Sequence, residues 1–149
     1  MKKVITVRQP WATLLATGKK RIETRSWKTK YRGELYIHAG IKKLLHGISE
    51  MPNGAWDRAL RMIELKDVFY LCEKFPTGAV IGKVNLVNCL QIDELTAAIL
   101  KEQNPDEYAF GDYTPGRYAW VMEEPVLFHT PVYVPGKQGL WNWDGKGLK

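Results

Sequence analysis

The sequence predicts a single α+β domain, a small mixed β-barrel with peripheral helices. Three observations carry that reading. The chain has 149 residues, the size of one compact domain that can bury a core without staples. Short β-branched or alternating runs outnumber helical ones and are irregularly spaced, with no strand–helix–strand repeat and no internal repeat. No linker-like stretch divides the chain, so residues 1–149 are read as one domain.

The elements follow in order. "VITV", residues 4–7, is a first strand by its β-branched content. In "QPWATLLATG", Pro10 suits a first helical turn and Gly18 a C-terminal stop, while Trp11, Leu14 and Leu15 share one side of a helix of about two turns. "RIETRSW" alternates. As a strand from Arg21 it puts Arg21, Glu23, Arg25 and Trp27 on one face and Ile22 and Thr24 on the other, with Lys20 in the turn before it. "YRG" is a turn and "ELYIHAG" a strand. Residues 41–75 read as helical with a break at "MPNG", the best stretch being 55–72. "GAVIGKVNLVNCLQI" is a long apolar strand in which Gly82 marks a bulge or a close approach. Asp93 is the N-cap of a short helix. Residues 104–117 read as a loop. "YAWVMEEPVLFHTPVYV" forms one or two strands with Pro125 and Pro131 at edges or bends, and "GLWNWD" closes the chain. Trp56 and Trp120 are assigned to the core.

Charge is concentrated at one end. The chain carries a net +6, yet residues 1–32 hold ten Lys or Arg against a single acid, Glu23, while the remainder is net negative. Aromatics interleave these bases, and Lys and Arg gain affinity for nucleic acid by releasing its condensed counterions, so the asymmetry favours a phosphate-bearing partner over a merely solvated face.

Several classes are excluded by what is missing. Neither GxxxxGK[ST] nor GxGxxG occurs, nor GxSxG, nor HExxH, which argues against nucleotide hydrolases, dinucleotide enzymes, serine hydrolases of the elbow type and zinc proteases. Cys72 and Cys89 are read as two buried thiols without CxxC spacing, and His38, His46 and His129 are scattered, so no metal and no cofactor are expected. No apolar run approaches the roughly 20 residues of a membrane span, and the N-terminus does not read as a signal peptide, so the expected setting is cytoplasmic.

The segment "TGKKRIETRSW" carries the candidate site. "GKKRIETR" fits GxKxxExR through Gly18, Lys20, Glu23 and Arg25. That pattern resembles the ASCH domain family, a β-barrel family related to the pseudouridine-synthase-and-archaeosine-transglycosylase (PUA-like) folds. "RQPWATLLATG", "RGELYIHAG", "GRYAWVMEEPVLF" and "KQGLWNW" resemble the family's other segments, in its order and over most of the chain. The resemblance implies an RNA- or nucleic-acid-associated module with a cleft beside the motif. Some small relatives are amidohydrolases of acylated cytidine that use a Lys and a hydroxyl residue. This sequence has Glu23 at the hydroxyl position, a departure from that pattern, and Thr24 is expected on the opposite strand face. Ribonuclease and coregulator roles are further family possibilities.

The residues themselves suggest a division of labour. Lys20 is a phosphate partner or, desolvated, a base. Glu23, between cations, stays ionised and suits accepting from a base's exocyclic amine. Arg25 offers a planar fork to phosphate or a base edge. A buried Lys20–Glu23–Arg25 network that fixes a turn is the structural alternative. The candidate ligand-contacting set is Gln9, Trp11, Lys19, Lys20, Arg21, Glu23, Arg25, Trp27, His38, Arg117, Lys137 and Trp141. If the protein is an enzyme, Lys20 and Glu23 are the catalytic candidates. The expected partner is RNA or single-stranded nucleic acid, or else a modified nucleoside.

Overall fold

The computed structural model describes residues 1–41, 54–63 and 75–149. Their elements are β1 (Lys2–Val7), α1 (Trp11–Ala16), β2 (Ile22–Arg25), β3 (Gly33–Ala39), α2 (Ala55–Ile63), β4 (Ala79–Gln91), α3 (Glu94–Gln103), α4 (Pro105–Ala109), β5 (Tyr118–Tyr133) and β6 (Leu140–Trp143). The helical readings at 42–50 and 64–72 lie outside the described residues, as do Cys72 and His46; Cys89 is a half-buried thiol.

Six strands form one mixed sheet in the order β2-β5-β4-β3-β1-β6. Among the described residues only β1 and β3 pair in parallel, Val4 opposite Tyr36; the other ladders are antiparallel. The α+β class therefore holds, but the sheet is not closed into the expected barrel. Its outermost strands, β2 and β6, have four residues each and one ladder partner each among the described residues. Barrel closure requires a continuous staggered register around the ring, and these two short edges do not supply it.

Strand alternation divides the core between the two faces. Ile5, Val7, Leu35 and Ile37 pack with Leu15 and Ala16 of α1, Ile81, Trp120 and Met122. Val4, Tyr36, Val80, Trp141 and Trp143 form a second cluster on the opposite face. Trp120 is fully buried, and Trp56 packs beside Leu14, Ala55 and Phe110.

Gly82 is a close approach and sits at a bulge. A Cβ there would lie 2.3 Å from the Val126 carbonyl oxygen, and the β4–β5 register shifts between Val80 and Gly82. That shift takes in Pro131, and another between Lys83 and Asn85 takes in Pro125, with Glu124 at φ 51°, so β5 runs unbroken through both prolines. Asp93 caps α3, its carboxylate accepting from Thr96 N at 2.7 Å.

Two further sequence readings are corrected. The loop expected at 104–117 contains α4: Asn104 caps it by accepting from Glu107 N at 3.2 Å, with Pro105 preset for the first turn. The strand expected to run on to Trp27 ends at Arg25, because the backbone bends at Ser26 and Trp27. Trp27 therefore does not share the Glu23 face. It packs edge-on against Trp120, ring centroids 4.7 Å apart, and its carbonyl accepts from Trp120 Nε1 at 3.2 Å.

Candidate functional site

The motif begins where α1 stops. Gly18 has φ +78°, and its amide reaches the Leu15 carbonyl at 3.1 Å. A side chain there would also meet Pro125 Cγ at 2.7 Å. The turn leads into β2, which is hydrogen-bonded to β5 on one side only, with Glu23 opposite Trp120.

The other side of β2 is satisfied by side chains and a loop instead of a strand. The Glu107 carboxylate accepts from Arg21 N at 2.5 Å, and Lys20 Nζ donates to the Ile22 carbonyl. Arg117 Nη2 donates to the Thr24 carbonyl at 3.4 Å, and Thr24 Oγ1 accepts from Asp112 N at 3.0 Å. An uncovered strand edge would leave these backbone groups to pair with another chain. Gly111 permits the loop's close approach, since a Cβ there would lie 2.7 Å from the Tyr113 ring and 3.3 Å from Thr24 Oγ1.

Glu23 is buried between two cations. Lys20 Nζ lies 3.6 Å from Oε1, and Arg25 Nη2 lies 2.9 Å from Oε2. Arg25 Nε also donates to Oε2 at 3.1 Å, and its Nη2 donates to the Thr6 carbonyl at 2.8 Å. Lys20 is 1% exposed, so it stands behind Glu23 and not on the open surface. The Glu107 carboxyl is pushed up by burial, with the Lys20 charge pulling the other way. Burial also pushes the Tyr113 hydroxyl up, and Glu107 and Glu23 add to that.

Beside this cluster lies a cleft of about 600 Å³. Glu23, Thr24 and Arg25 form one wall, Thr6 and Arg8 another, and Asp112 and Arg117 a third. Trp11 lines it as well, with the Arg8 guanidinium 5.9 Å from its ring centroid. Arg117 Nε lies 3.5 Å from Asp112 Oδ2. The Asp112 carboxyl is held below its ordinary value, first by the Thr114 hydroxyl and also by Arg117. The cleft thus joins three guanidiniums, two carboxylates and an indole, a set able to hold an anionic group and a planar ring together.

Of the residues singled out from the sequence, Trp11, Glu23, Arg25 and Arg117 line this cleft, and Lys20 backs it. Gln9 is buried and committed to the fold: Nε2 donates to Thr13 Oγ1 at 2.9 Å and to the Pro76 carbonyl at 2.8 Å. Lys19 and Arg21 are exposed outside the cleft, Arg21 meeting Glu107 through its backbone. His38 and Trp141 are buried against one another, 5.6 Å between ring centroids. His38 Nε2 lies 2.8 Å from the Val134 carbonyl, and burial lowers the imidazole's pKa. Trp141 Nε1 donates to Thr6 Oγ1 at 3.0 Å, and that hydroxyl donates to the Lys137 carbonyl at 2.5 Å. These three residues brace Thr6 from behind, while the Lys137 side chain is exposed.

Sequence reading missed Thr6, Arg8, Glu107 and Asp112. Only Glu107 had a local signal: "NPDE" pairs an Asn cap and a first-turn proline with an acid three residues after the cap. Among the described residues no cluster of His, Cys, Asp and Glu can hold a metal ion, and no helix is long and apolar enough to cross a membrane.

Comparison with known proteins gives a consistent picture. The ASCH domain model matches residues 5–131. Activating signal cointegrator 1 of Homo sapiens is 32% identical over 143 residues, 95% of this chain, and that of Mus musculus 30% over the same length. The chain spans 22% of each of those proteins. The crystal structure of ASCH from Zymomonas mobilis superposes with a TM-score of 0.58 at 17% identity, covering 96% of this chain and 88% of that one. A point mutant of the same protein gives 0.56 at 16% identity, covering 96% and 89%. The structural likeness speaks to the fold alone. With the family model matched over most of its length, the chain belongs to the ASCH domain family.

Proposed function

We propose that this ASCH domain binds RNA or single-stranded nucleic acid and holds one unpaired nucleotide in the cleft. The observation that carries the reading is the convergence of Arg8, Arg25 and Arg117 with the Trp11 indole around Glu23, in a space of about 600 Å³. Guanidiniums suit the phosphate, the indole suits a stacked base, and carboxylate oxygens suit an exocyclic amine. Unpaired RNA exposes all three groups at once. The test is titration of a labelled single-stranded RNA over a range of salt. An Arg25→Ala, Arg117→Ala double variant should bind more weakly and lower the salt slope by about 0.7 for each lost phosphate contact. Unchanged binding by that variant would overturn the reading.

A hydrolase that acts on a modified nucleoside, or a ribonuclease, would use Lys20 and Glu23. The side-chain contacts weigh against it, since Lys20 Nζ donates to a backbone carbonyl and Glu23 is gripped by two cations. Turnover of acylated nucleosides or RNA oligomers, lost in Glu23→Gln with folding intact, would establish it. A coregulator or protein-interaction role draws support from the 32% identical relative, activating signal cointegrator 1. Salt-insensitive failure to bind any RNA would favour that role over ours.

A further inference from the structure

Between Glu23 and Glu34 the chain carries Arg25, Lys28, Lys30 and Arg32 and no acid. The segment from 26 to 32 is flanked by two contacts to β1, one from Arg25 just before it and one from Tyr31 within it. At one end Arg25 Nη2 reaches the Thr6 carbonyl at 2.8 Å; at the other, Lys3 Nζ lies 5.7 Å from the Tyr31 ring centroid. Lys3 and Thr6 are three strand positions apart, about 10 Å. Trp27 lies against Trp120 and beside Gly139, whose carbonyl accepts from Thr6 N at 3.2 Å. The segment is also bonded within itself: Tyr31 N donates to Thr29 Oγ1 at 3.1 Å, and Arg32 Nη1 donates to the Thr29 and Tyr31 carbonyls at 3.0 and 2.8 Å. Lys28 and Lys30 are left exposed, with no acidic partner among the described residues, and Trp27, between them and the cleft residue Arg25 in sequence, is 37% exposed.

From this geometry we infer that single-stranded RNA continues out of the cleft along residues 26–32, its phosphates on Lys28 and Lys30 and a base against Trp27. The inference rests on the cleft being a nucleotide site. An ordered segment with unpaired cations needs no rearrangement to meet a backbone that leaves Arg25, and an exposed indole offers a stacking face to any base. A merely solvated face has no need of an indole beside its cations, and the bonds among Thr29, Tyr31 and Arg32 fix the backbone from which Lys30 projects.

The experiment measures salt-dependent binding of a labelled single-stranded RNA of about ten nucleotides, within the usual range of single-strand binding sites. Lys28→Ala, Lys30→Ala should reduce the slope of log K against log salt by about 1.4, two phosphates at about 0.7 each. Trp27→Ala should weaken binding of the same strand by tenfold or more. Both lysines are exposed, and an unchanged melting temperature will show that the double variant folds. If that variant keeps the full slope while Arg25→Ala weakens binding, the track is overturned and the cleft reading stands. If Arg25→Ala also has no effect, the cleft reading fails with it. Equal loss of affinity for a blunt duplex would also overturn the track, since stacking on Trp27 requires an unpaired base.

Discussion

Arg25 grips a single oxygen of Glu23 with two nitrogens, Nη2 at 2.9 Å and Nε at 3.1 Å. The same Nη2 holds the Thr6 carbonyl at 2.8 Å, so one guanidinium ties β2 to β1 across the cleft, although the two strands are not neighbours in the sheet.

Arg25→Lys is therefore not a conservative change. An ammonium cannot reproduce the fork, and the buried Glu23 carboxylate loses much of its compensation. Urea unfolding should show a loss of about 1–3 kcal/mol, and RNA affinity should fall about tenfold. A variant with the parental midpoint and affinity would remove Arg25 from both roles.

Lys20 separates the buried-network alternative from a direct ligand contact. With Nζ on the Ile22 carbonyl and 3.6 Å from Glu23, Lys20→Met should cost about 3 kcal/mol by leaving a buried carboxylate under-compensated. Lys20→Met combined with Glu23→Gln should recover part of that loss, with a coupling of about 1 kcal/mol or more in a double-mutant cycle. Full stability in Lys20→Met together with lost RNA binding would make the lysine a ligand contact.

Glu107 gives a pH test with a definite sign. Burial raises its pKa in the fold above the ordinary 4.5, so the folded state binds the proton more tightly than the unfolded one. Its unfavourable contribution is absent below about 4.5 and grows as pH rises through the folded value. Asp112 works the other way: its lowered pKa contributes stability above its ordinary 3.8, and that is lost in more acidic solution. Glu107→Gln keeps an oxygen for Arg21 N, so the decline in stability from pH 4.5 towards neutrality should be shallower than in the parent. Identical pH profiles for the two proteins would rule out Glu107 as the titrating group.

Gly18→Ala tests the turn that launches the motif. The left-handed backbone costs an L-residue about 1–2 kcal/mol, and the new methyl meets Pro125 Cγ at 2.7 Å. A melting temperature lowered by several degrees is the expected result. No change would mean that the turn relaxes without cost.

Where an element depends on its own residues, the sequence reading and the structure agree. α1 with its glycine stop, the Asp93 cap and the close approach at Gly82 follow from periodicity, side-chain chemistry and the lack of a Cβ. The cleft is different. Arg21 and Glu107 are 86 positions apart, and Thr24 and Asp112 are 88 apart. No local pattern signals that a distant loop will cover one edge of β2. Nor did alternation along "RIETRSW" foretell the bend after Arg25, because the indole of Trp27 finds its partner in Trp120, far along the chain.

By itself the sequence determined the family motif, the α+β class, the basic end of the chain and the pairing of Glu23 with cations close to it. Spacing along the backbone dictates these, through properties each residue carries wherever the chain goes. Only the tertiary structure decided that Lys20 is buried behind Glu23, that His38 and Gln9 serve the fold, and that Arg8 and Asp112 complete the cleft. Those outcomes turn on which groups lose water when β2 becomes a sheet edge and residues 105–117 fold over it. Desolvation is a property of the assembled molecule, so it was not legible before the strands were placed.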